Sequence, residues 1–316
     1  MKLIQMHATR RRPPGYWRNL FLFGLSVLLV SFGVLGIRLA HQRAMWLVHP
    51  GRSTSHRTPD DVGIAQWREV DFQSQDGLSL SAWFVPTQNG ASVILIHGHG
   101  GNRAQLLDDA AMLVEDGYGV LLLDLRNSGS SKGGLTTMGY LEVLDVGGAL
   151  AFLSAQAESD PQRVGLLGHS MGGATAILAA ARYPEIKAVI AESTFTSVED
   201  NISDSFQALT GLPPFPFAPL VVWFGEREAG VDISQVSPLD GIETISPRAV
   251  FIVHGELDEL IPVENAHRLY AAAGEPKDLY VIPNAGHGGL LQAQPEEYQK
   301  RIVRFFNRYL LQVPDK

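Results

Sequence analysis

The chain has 316 residues, 45% of them hydrophobic and 18% charged, with 25 Lys and Arg against 33 Asp and Glu. Cysteine is absent, which excludes disulfides and thiolate metal sites. All 33 acidic residues lie from Asp60 onward, where only 16 basic side chains face them, so this acidic body is a poor match for nucleic acid.

Residues 1–19 are basic, and residues 20–37 follow as an uncharged, mostly apolar run from Leu20 to Ile37. At 1.5 Å per residue that run spans about 27 Å as a helix, enough to cross a hydrocarbon core. Tyr16 and Trp17 before it and Trp46 after it suit the two interfaces. A cleaved signal peptide is the rival reading. Cleavage after Ala40 sets Arg38 at the third position back, and cleavage after Ala44 sets Gln42 there, where a small residue is wanted, so an uncleaved anchor is expected. Lys2, Arg10, Arg11, Arg12 and Arg18 precede the run, and Arg38, Arg43, Arg52 and Arg57 follow it. That count tilts toward a cytoplasmic amino terminus and a body on the non-cytoplasmic side. Residues 38–66 read as a tether, with Gly51 to Asp61 polar and turn-rich.

No Ser/Gly/Pro linker divides the remainder, which is read as one domain over residues 67–316. Glu69 to Phe72 and Leu78 to Val85 alternate in polarity around Gln75-Asp76-Gly77, the pattern of an antiparallel hairpin at a sheet edge. Strand and helix then alternate. Apolar runs at Val93–Ile96, Val120–Leu123, Val164–Leu167, Ala188–Ile190, Ala249–Val253 and Leu279–Ile282 are separated by segments such as Ala104–Asp116 and Tyr140–Gln156. This predicts a mostly parallel, twisted α/β sheet with helices on both faces and its chemistry at the carboxyl ends of the strands.

The sharpest signal is Gly168-His169-Ser170-Met171-Gly172, between a buried run and an Ala-rich helical segment. A serine in a strand-to-helix turn this tight needs neighbours without side chains, and Gly168 and Gly172 supply them. Ser170 is then the candidate nucleophile, and the Met171 amide a candidate oxyanion donor. After the Val93 strand comes His97-Gly98-His99-Gly100-Gly101-Asn102, where the His99 amide is the second candidate donor. His97 and His99 form an H-x-H pair, but further ligands are missing nearby, so His97 is read as a structural histidine and no metal is expected. Asp124 and Arg126 are read as charges that pin a loop.

Asp258 follows the Ala249 strand at a distance that lets its carboxylate turn back, whereas Glu256 and Glu259 read as solvated charges. His287 lies among small residues in Asn284-Ala285-Gly286-His287-Gly288-Gly289. Serine is a weak nucleophile near neutral pH. It needs a neutral imidazole to take its proton and a carboxylate to orient that imidazole, and Ser170, His287 and Asp258 offer the three parts.

These motifs together, HGHGGN at His97, DLRNSGSS at Asp124, GHSMGG at Gly168, HGELDELIP at His254 and NAGHGG at Asn284, resemble the α/β-hydrolase superfamily over roughly Trp67 to Leu311. The resemblance is strongest to its membrane-anchored branch near acylglycerol lipases and prolyl-oligopeptidase-like peptidases. It implies Ser170 as nucleophile, Asp258 as orienting acid, His287 as base, the amides of His99 and Met171 as oxyanion hole, and no cofactor. The departure from the family's pattern is the segment at about 194–245, read here as a short lid. In that segment Phe215, Phe217 and Trp223 either line a pocket for an acyl chain or pack on the sheet or bilayer, and Glu192 and Ser193 lie beside the site by topology. The expected function is a membrane-tethered serine hydrolase acting on lipid-like or small acyl esters, with a short-peptide amidase and a non-catalytic scaffold as alternatives.

Overall fold

The computed structural model describes residues 15–211 and 213–313. Lys2, Arg10, Arg11 and Arg12 of the basic segment lie outside the described residues, as does Leu212 of the lid segment. A long helix α1 (Tyr16–Val48) comes first, then the hairpin β1 (Arg68–Gln73) and β2 (Ser79–Val85) and the strand β3 (Ser92–Ile96). The alternation follows as α2 (Leu107–Glu115), β4 (Gly119–Leu123), α3 (Glu142–Ser154), β5 (Val164–His169), α4 (Met171–Arg182) and β6 (Ile186–Glu192). The excursion α5 (Val198–Thr210), α6 (Pro214–Ala229) and α7 (Pro238–Ile242) precedes β7 (Ala249–Gly255), α8 (Glu264–Ala272) and β8 (Lys277–Ile282). The chain closes with α9 (Leu290–Ala293) and α10 (Pro295–Leu310).

The eight strands form one sheet in the order β1-β2-β4-β3-β5-β6-β7-β8. β1 pairs with β2, and β2 with β4, antiparallel; every other pairing is parallel. Successive side chains of β3 and β4 point to opposite faces, so Val93, Leu95, Val120 and Leu122 enter one core while Ile94, Ile96, Leu121 and Leu123 enter the other. α2 and α10 cover the first core and α3, α4 and α8 the second. The expected hairpin is present, but only β1 has the half-exposed pattern of an edge. β2 is buried from Leu80 to Val85, because β4 flanks it on the other side.

α1 differs from the anchor and tether read in the sequence, because the helix does not stop at Ile37 but continues through Arg38 to Val48. Its first half is bare, with Phe21, Leu28 and Val30 about two-thirds exposed. Its second half buries Gly36, Ala40, Ala44, Leu47 and Val48, a stripe at helical spacing. Small residues in that stripe let α6 approach: a Cβ on Gly36 would sit 1.9 Å from Phe217 Cε1. Contacts climb together along the two helices, from Phe32 against Phe217 through His41 against Phe224 to the 2.8 Å pair of His49 and Glu228. The remaining tether is bonded to the body as well. Thr136 donates to the Val48 carbonyl, and Arg52 donates to the carbonyls of Ser131 and Gly133 at 2.6 and 2.9 Å.

Beneath the end of β6 lies a buried polar trio. The Tyr298 hydroxyl meets Glu192 and, at 2.7 Å, Asp109, tying α10 to β6 and α2. One phenolic hydrogen serves only one acceptor, so one carboxyl must keep its proton. Burial, with the nearby Asp109 charge, pushes Glu192 well above the usual carboxylate range, and burial raises Asp109 to about 6.

Two consequences are measurable. Gly36→Leu should lower the melting temperature of the detergent-solubilised chain by several degrees, as expected for about 1–3 kcal/mol of overpacking. Gly33→Leu, where a Cβ meets nothing within 4 Å, should not. Asp109 holds its proton more tightly folded than unfolded, so its contribution to stability is complete below its unfolded value near 3.8 and fades as pH rises through about 6. Asp109→Asn should therefore melt higher relative to wild type at pH 6.5 than at pH 4; a difference independent of pH would contradict this assignment.

Candidate active site

β5 ends at His169 and α4 begins at Met171, leaving Ser170 alone in the turn with φ 57° and ψ −120°. That backbone is strained for a residue with a side chain, and the surroundings hold it there. A Cβ on Gly168 would lie 2.1 Å from the Gly172 carbonyl oxygen, and a Cβ on Gly172 would lie 2.1 Å from the carbonyl oxygen of Ile96. The Ser170 amide donates to the Glu192 carbonyl at 2.8 Å, and the Thr194 hydroxyl donates to the Ser170 carbonyl at 2.9 Å. Met171 opens α4, so its amide is one of the helix-start donors without an intrahelical acceptor.

Asp258, in the turn after β7, has a fully buried carboxylate. Its Oδ1 accepts from the amides of Leu260 and Ile261, both at 2.9 Å, and its Oδ2 accepts from His287 Nδ1 at 2.8 Å. His254 Nε2 donates to the Ile261 carbonyl at 2.8 Å and lies 3.3 Å from Asp258 Oδ2. Burial pushes the Asp258 pKa up, but the bonds from His254, His287 and the Ile261 amide outweigh it and hold the carboxyl below the usual range. Asp258 is therefore ionised at neutral pH. With Nδ1 donating to it, His287 presents Nε2 as an acceptor, 3.0 Å from Ser170 Oγ. The three residues named from sequence thus form one continuous relay, contributed by the ends of β5, β7 and β8. Glu256 instead accepts from the Asn284 amide at 3.1 Å in an exposed bend.

The loop after β3 lies against the serine: a Cβ on Gly98 would be 3.2 Å from Ser170 Cβ. His97 Nδ1 donates to the Gly98 carbonyl at 2.7 Å, and its Nε2 accepts from the Leu125 amide at 3.1 Å, joining two loops. The His99 side chain has a part the sequence did not suggest. It donates from Nε2 to the Leu47 carbonyl at 2.9 Å and packs on Trp46 with ring centroids 4.5 Å apart, so the loop is fastened to the end of α1. His169 packs 5.1 Å from the His287 ring, and burial, then the neighbouring His287, lowers its pKa to about 3. It therefore stays neutral beside the relay.

Asp124 and Arg126 pin loops as expected, but with separate partners. Asp124 accepts from the amides of Arg103 and Ser130, while Arg126 pairs with Asp145 at 2.7 Å and Asp76 at 3.1 Å. Glu192 touches the site through its backbone and turns its side chain to Tyr298, and Ser193 donates its amide to the Val253 carbonyl.

Ser170 opens into a cavity of about 190 Å³ whose wall includes Arg43, Trp46 and Leu47 of α1, Met138, Phe195 and Ser205. The lid aromatics named from sequence are absent from that wall. Phe217 is 3% exposed and wedged among Gly36, Phe32 and Phe206; Phe215 and Trp223 are 79% and 51% exposed. Because α6 lies along α1, its rings are spent on that helix pair or turned outward. The lining from α1 carries no local sequence signal, since it depends on a helix 120 residues upstream folding back onto the catalytic strands.

Residues 104–312, more than half of the chain, match the prolyl oligopeptidase family. Among curated proteins the chain is similar to the uncharacterized protein YfhR of Escherichia coli, with 29% identity over 78% of this chain and 84% of that one. It is also similar to the α/β-hydrolase domain-containing protein WAV2 of Arabidopsis thaliana, with 28% identity over 90% and 95%. Among solved structures the esterase Pf2001 of Pyrococcus furiosus superposes with a TM-score of 0.70 at 26% identity, covering 83% of this chain and all of that one. The acylaminoacyl peptidase of Pyrococcus horikoshii shares the fold, with a TM-score of 0.60 at 19% identity over 79% of this chain and 43% of that one. With its sheet, elbow and strand-end loops arranged as described, the chain has the α/β-hydrolase fold and belongs to the prolyl oligopeptidase family.

Proposed function

We propose that the chain is a membrane-anchored serine hydrolase that cleaves carboxylic esters of acyl-bearing, lipid-like substrates through an acyl-enzyme. The observation that carries this reading is the hydrogen-bonded run from Asp258 through His287 to Ser170 Oγ at the floor of a partly apolar cavity. Ser170 Oγ attacks the acyl carbon as His287 Nε2 takes its proton, and the amides of His99 and Met171 receive the charge that gathers on the carbonyl oxygen. Collapse breaks the bond to the alcohol oxygen, which leaves with the proton from His287. Water, deprotonated by the same imidazole, then frees the acid and restores the serine.

Ester cleavage is favoured by the Pyrococcus furiosus esterase among the similar structures and by a cavity walled with Trp46, Leu47 and Phe195. A short-peptide amidase is the second reading, favoured by the family match. Membrane anchoring is supported by an α1 long and apolar enough to cross a bilayer, with its first half unpacked against the protein. The basic residues on either side of the span favour a body on the non-cytoplasmic face.

A fluorophosphonate probe should label the wild-type chain and fail to label Ser170→Ala. Asp258→Asn should cut turnover about 10⁴-fold in a chain that still folds, because His287 loses its orienting anion and correct tautomer. Labelling that survives Ser170→Ala, or equal loss on Glu256→Gln, would sink the assignment. Comparing p-nitrophenyl esters with peptidyl anilides separates the two substrate readings, and esters should be cleaved faster.

A further inference from the structure

The cavity at Ser170 contains a cation without a counterion. Arg43, near the carboxyl end of α1, sends its guanidinium into this wall, where Nη2 is 3.5 Å from Ser205 Oγ and Cζ lies 4.2 Å over the Trp46 ring. Its Nε is buried with no hydrogen-bond partner, and among the described residues no carboxylate lies within 4 Å of its nitrogens. Among the described residues, no Asp or Glu lines the cavity. Other arginines drawn into the body have their donors engaged: Arg103 pairs with Glu69 and Asp124, Arg126 with Asp145 and Asp76, and Arg248 donates to the carbonyls of Ala180, Tyr183 and Ile186. In a body with twice as many acidic as basic residues, a guanidinium without a carboxylate partner in the same cavity as the nucleophile stands out. Taking a charge from water without a partner costs stability, and an anion arriving with the ligand recovers it.

The depth of this group in the bilayer agrees. If the apolar run ends at Ile37, Arg43 stands six residues farther along a continuous helix, about 9 Å beyond the hydrocarbon edge. The polar headgroup layer on each side of a bilayer is about 5–8 Å deep. Arg43 Cα is therefore at the outer edge of that layer or just beyond it, and helical side chains lean back toward the helix N-terminus, which here is the lipid side. Asn201 and Ser205, four residues apart on α5, face the same cavity as additional hydrogen-bonding groups.

We infer that the cavity takes an acyl ester that also carries an anionic group, a phosphate or carboxylate, with Arg43 binding the anion while Ser170 attacks the acyl carbon. Arginine suits this position because its planar fork matches either anion in two-point contact. The inference rests on the serine-hydrolase reading above. It makes the end of the anchor helix the specificity element of the site.

The test uses the full chain in neutral detergent micelles and two esters with one acyl chain, 1-lauroylglycerol and 1-lauroylglycerol 3-phosphate. Wild type should prefer the phosphate ester in kcat/KM by about tenfold or more, the worth of one charge-assisted hydrogen bond, mainly through KM. Arg43→Gln should collapse that ratio toward one, and Arg43→Lys should restore part of it. No preference in wild type, or a preference that survives Arg43→Gln, overturns the inference even while the fluorophosphonate probe still labels Ser170. Absence of probe labelling in wild type overturns the hydrolase reading and this one with it. A measurement on wild type alone guards against a variant that fails to fold: dodecyl phosphate should inhibit lauroylglycerol cleavage at least about tenfold more strongly than dodecanol, and equal inhibition overturns the inference. If glycerol 3-phosphate inhibits as well as dodecyl phosphate, the anion site serves soluble esters; if only the dodecyl compound inhibits, it serves lipids.

Discussion

The backbone crossing at the elbow is the constraint on which the site is built. The Gly172 segment comes so close to the Ile96 carbonyl, and Gly168 so close to Gly172, that a single methyl group at either position would meet a main-chain atom at 2.1 Å. Only because β3, β5 and the start of α4 pack at that distance does Ser170 stand clear of the sheet at φ 57°. The His97–His99 loop at the end of β3 then lies against the serine. The end of β6 locks the turn from the other side, through the Ser170 amide on the Glu192 carbonyl. The relay through His287 and Asp258 adds chemistry to geometry that the backbone has already imposed.

A second feature of the molecule is that α1 performs two tasks at once. Over its first half it offers apolar side chains with no protein partner, and over its second half it is a core helix of the catalytic body. The helix is continuous across the two halves. The join is made by small residues against α6, by Thr136 on the Val48 carbonyl, and by His99 on the Leu47 carbonyl. The loop that holds one candidate oxyanion amide is thereby bonded directly to the end of α1.

Buried charge is distributed with a clear division of labour. Arg126 with Asp145 and Asp76, and Arg103 with Glu69 and Asp124, stitch loops together as compensated pairs. Asp258 is kept ionised by converging donors, whereas burial keeps His97 and His169 neutral. The Tyr298 trio stores a proton below β6 without touching the relay. Arg43, in the cavity, has no carboxylate partner among the described residues.

The sheet, the elbow and the relay are legible in the order of the amino acids. Alternating apolar runs specify strands through a period of two, and a serine between two glycines has a local steric meaning. Asp258 and His287 follow strands whose carboxyl ends must gather on one edge. Tertiary structure decided the boundaries of α1 and the walls of the cavity. Arg38 to Val48 reads as a polar tether because its buried stripe consists of alanines and a few apolar residues, whose purpose appears only when α6 is beside them. Phe215, Phe217 and Trp223 look like pocket linings in one dimension, yet they lie elsewhere because α6 packs along α1. Arg43 looks like one more flanking cation, and only the return of α1 to the sheet brings it into the cavity that Ser170 also lines. Local periodicity and steric demand are written in neighbouring residues, whereas which surface meets which depends on contacts between segments more than 100 residues apart.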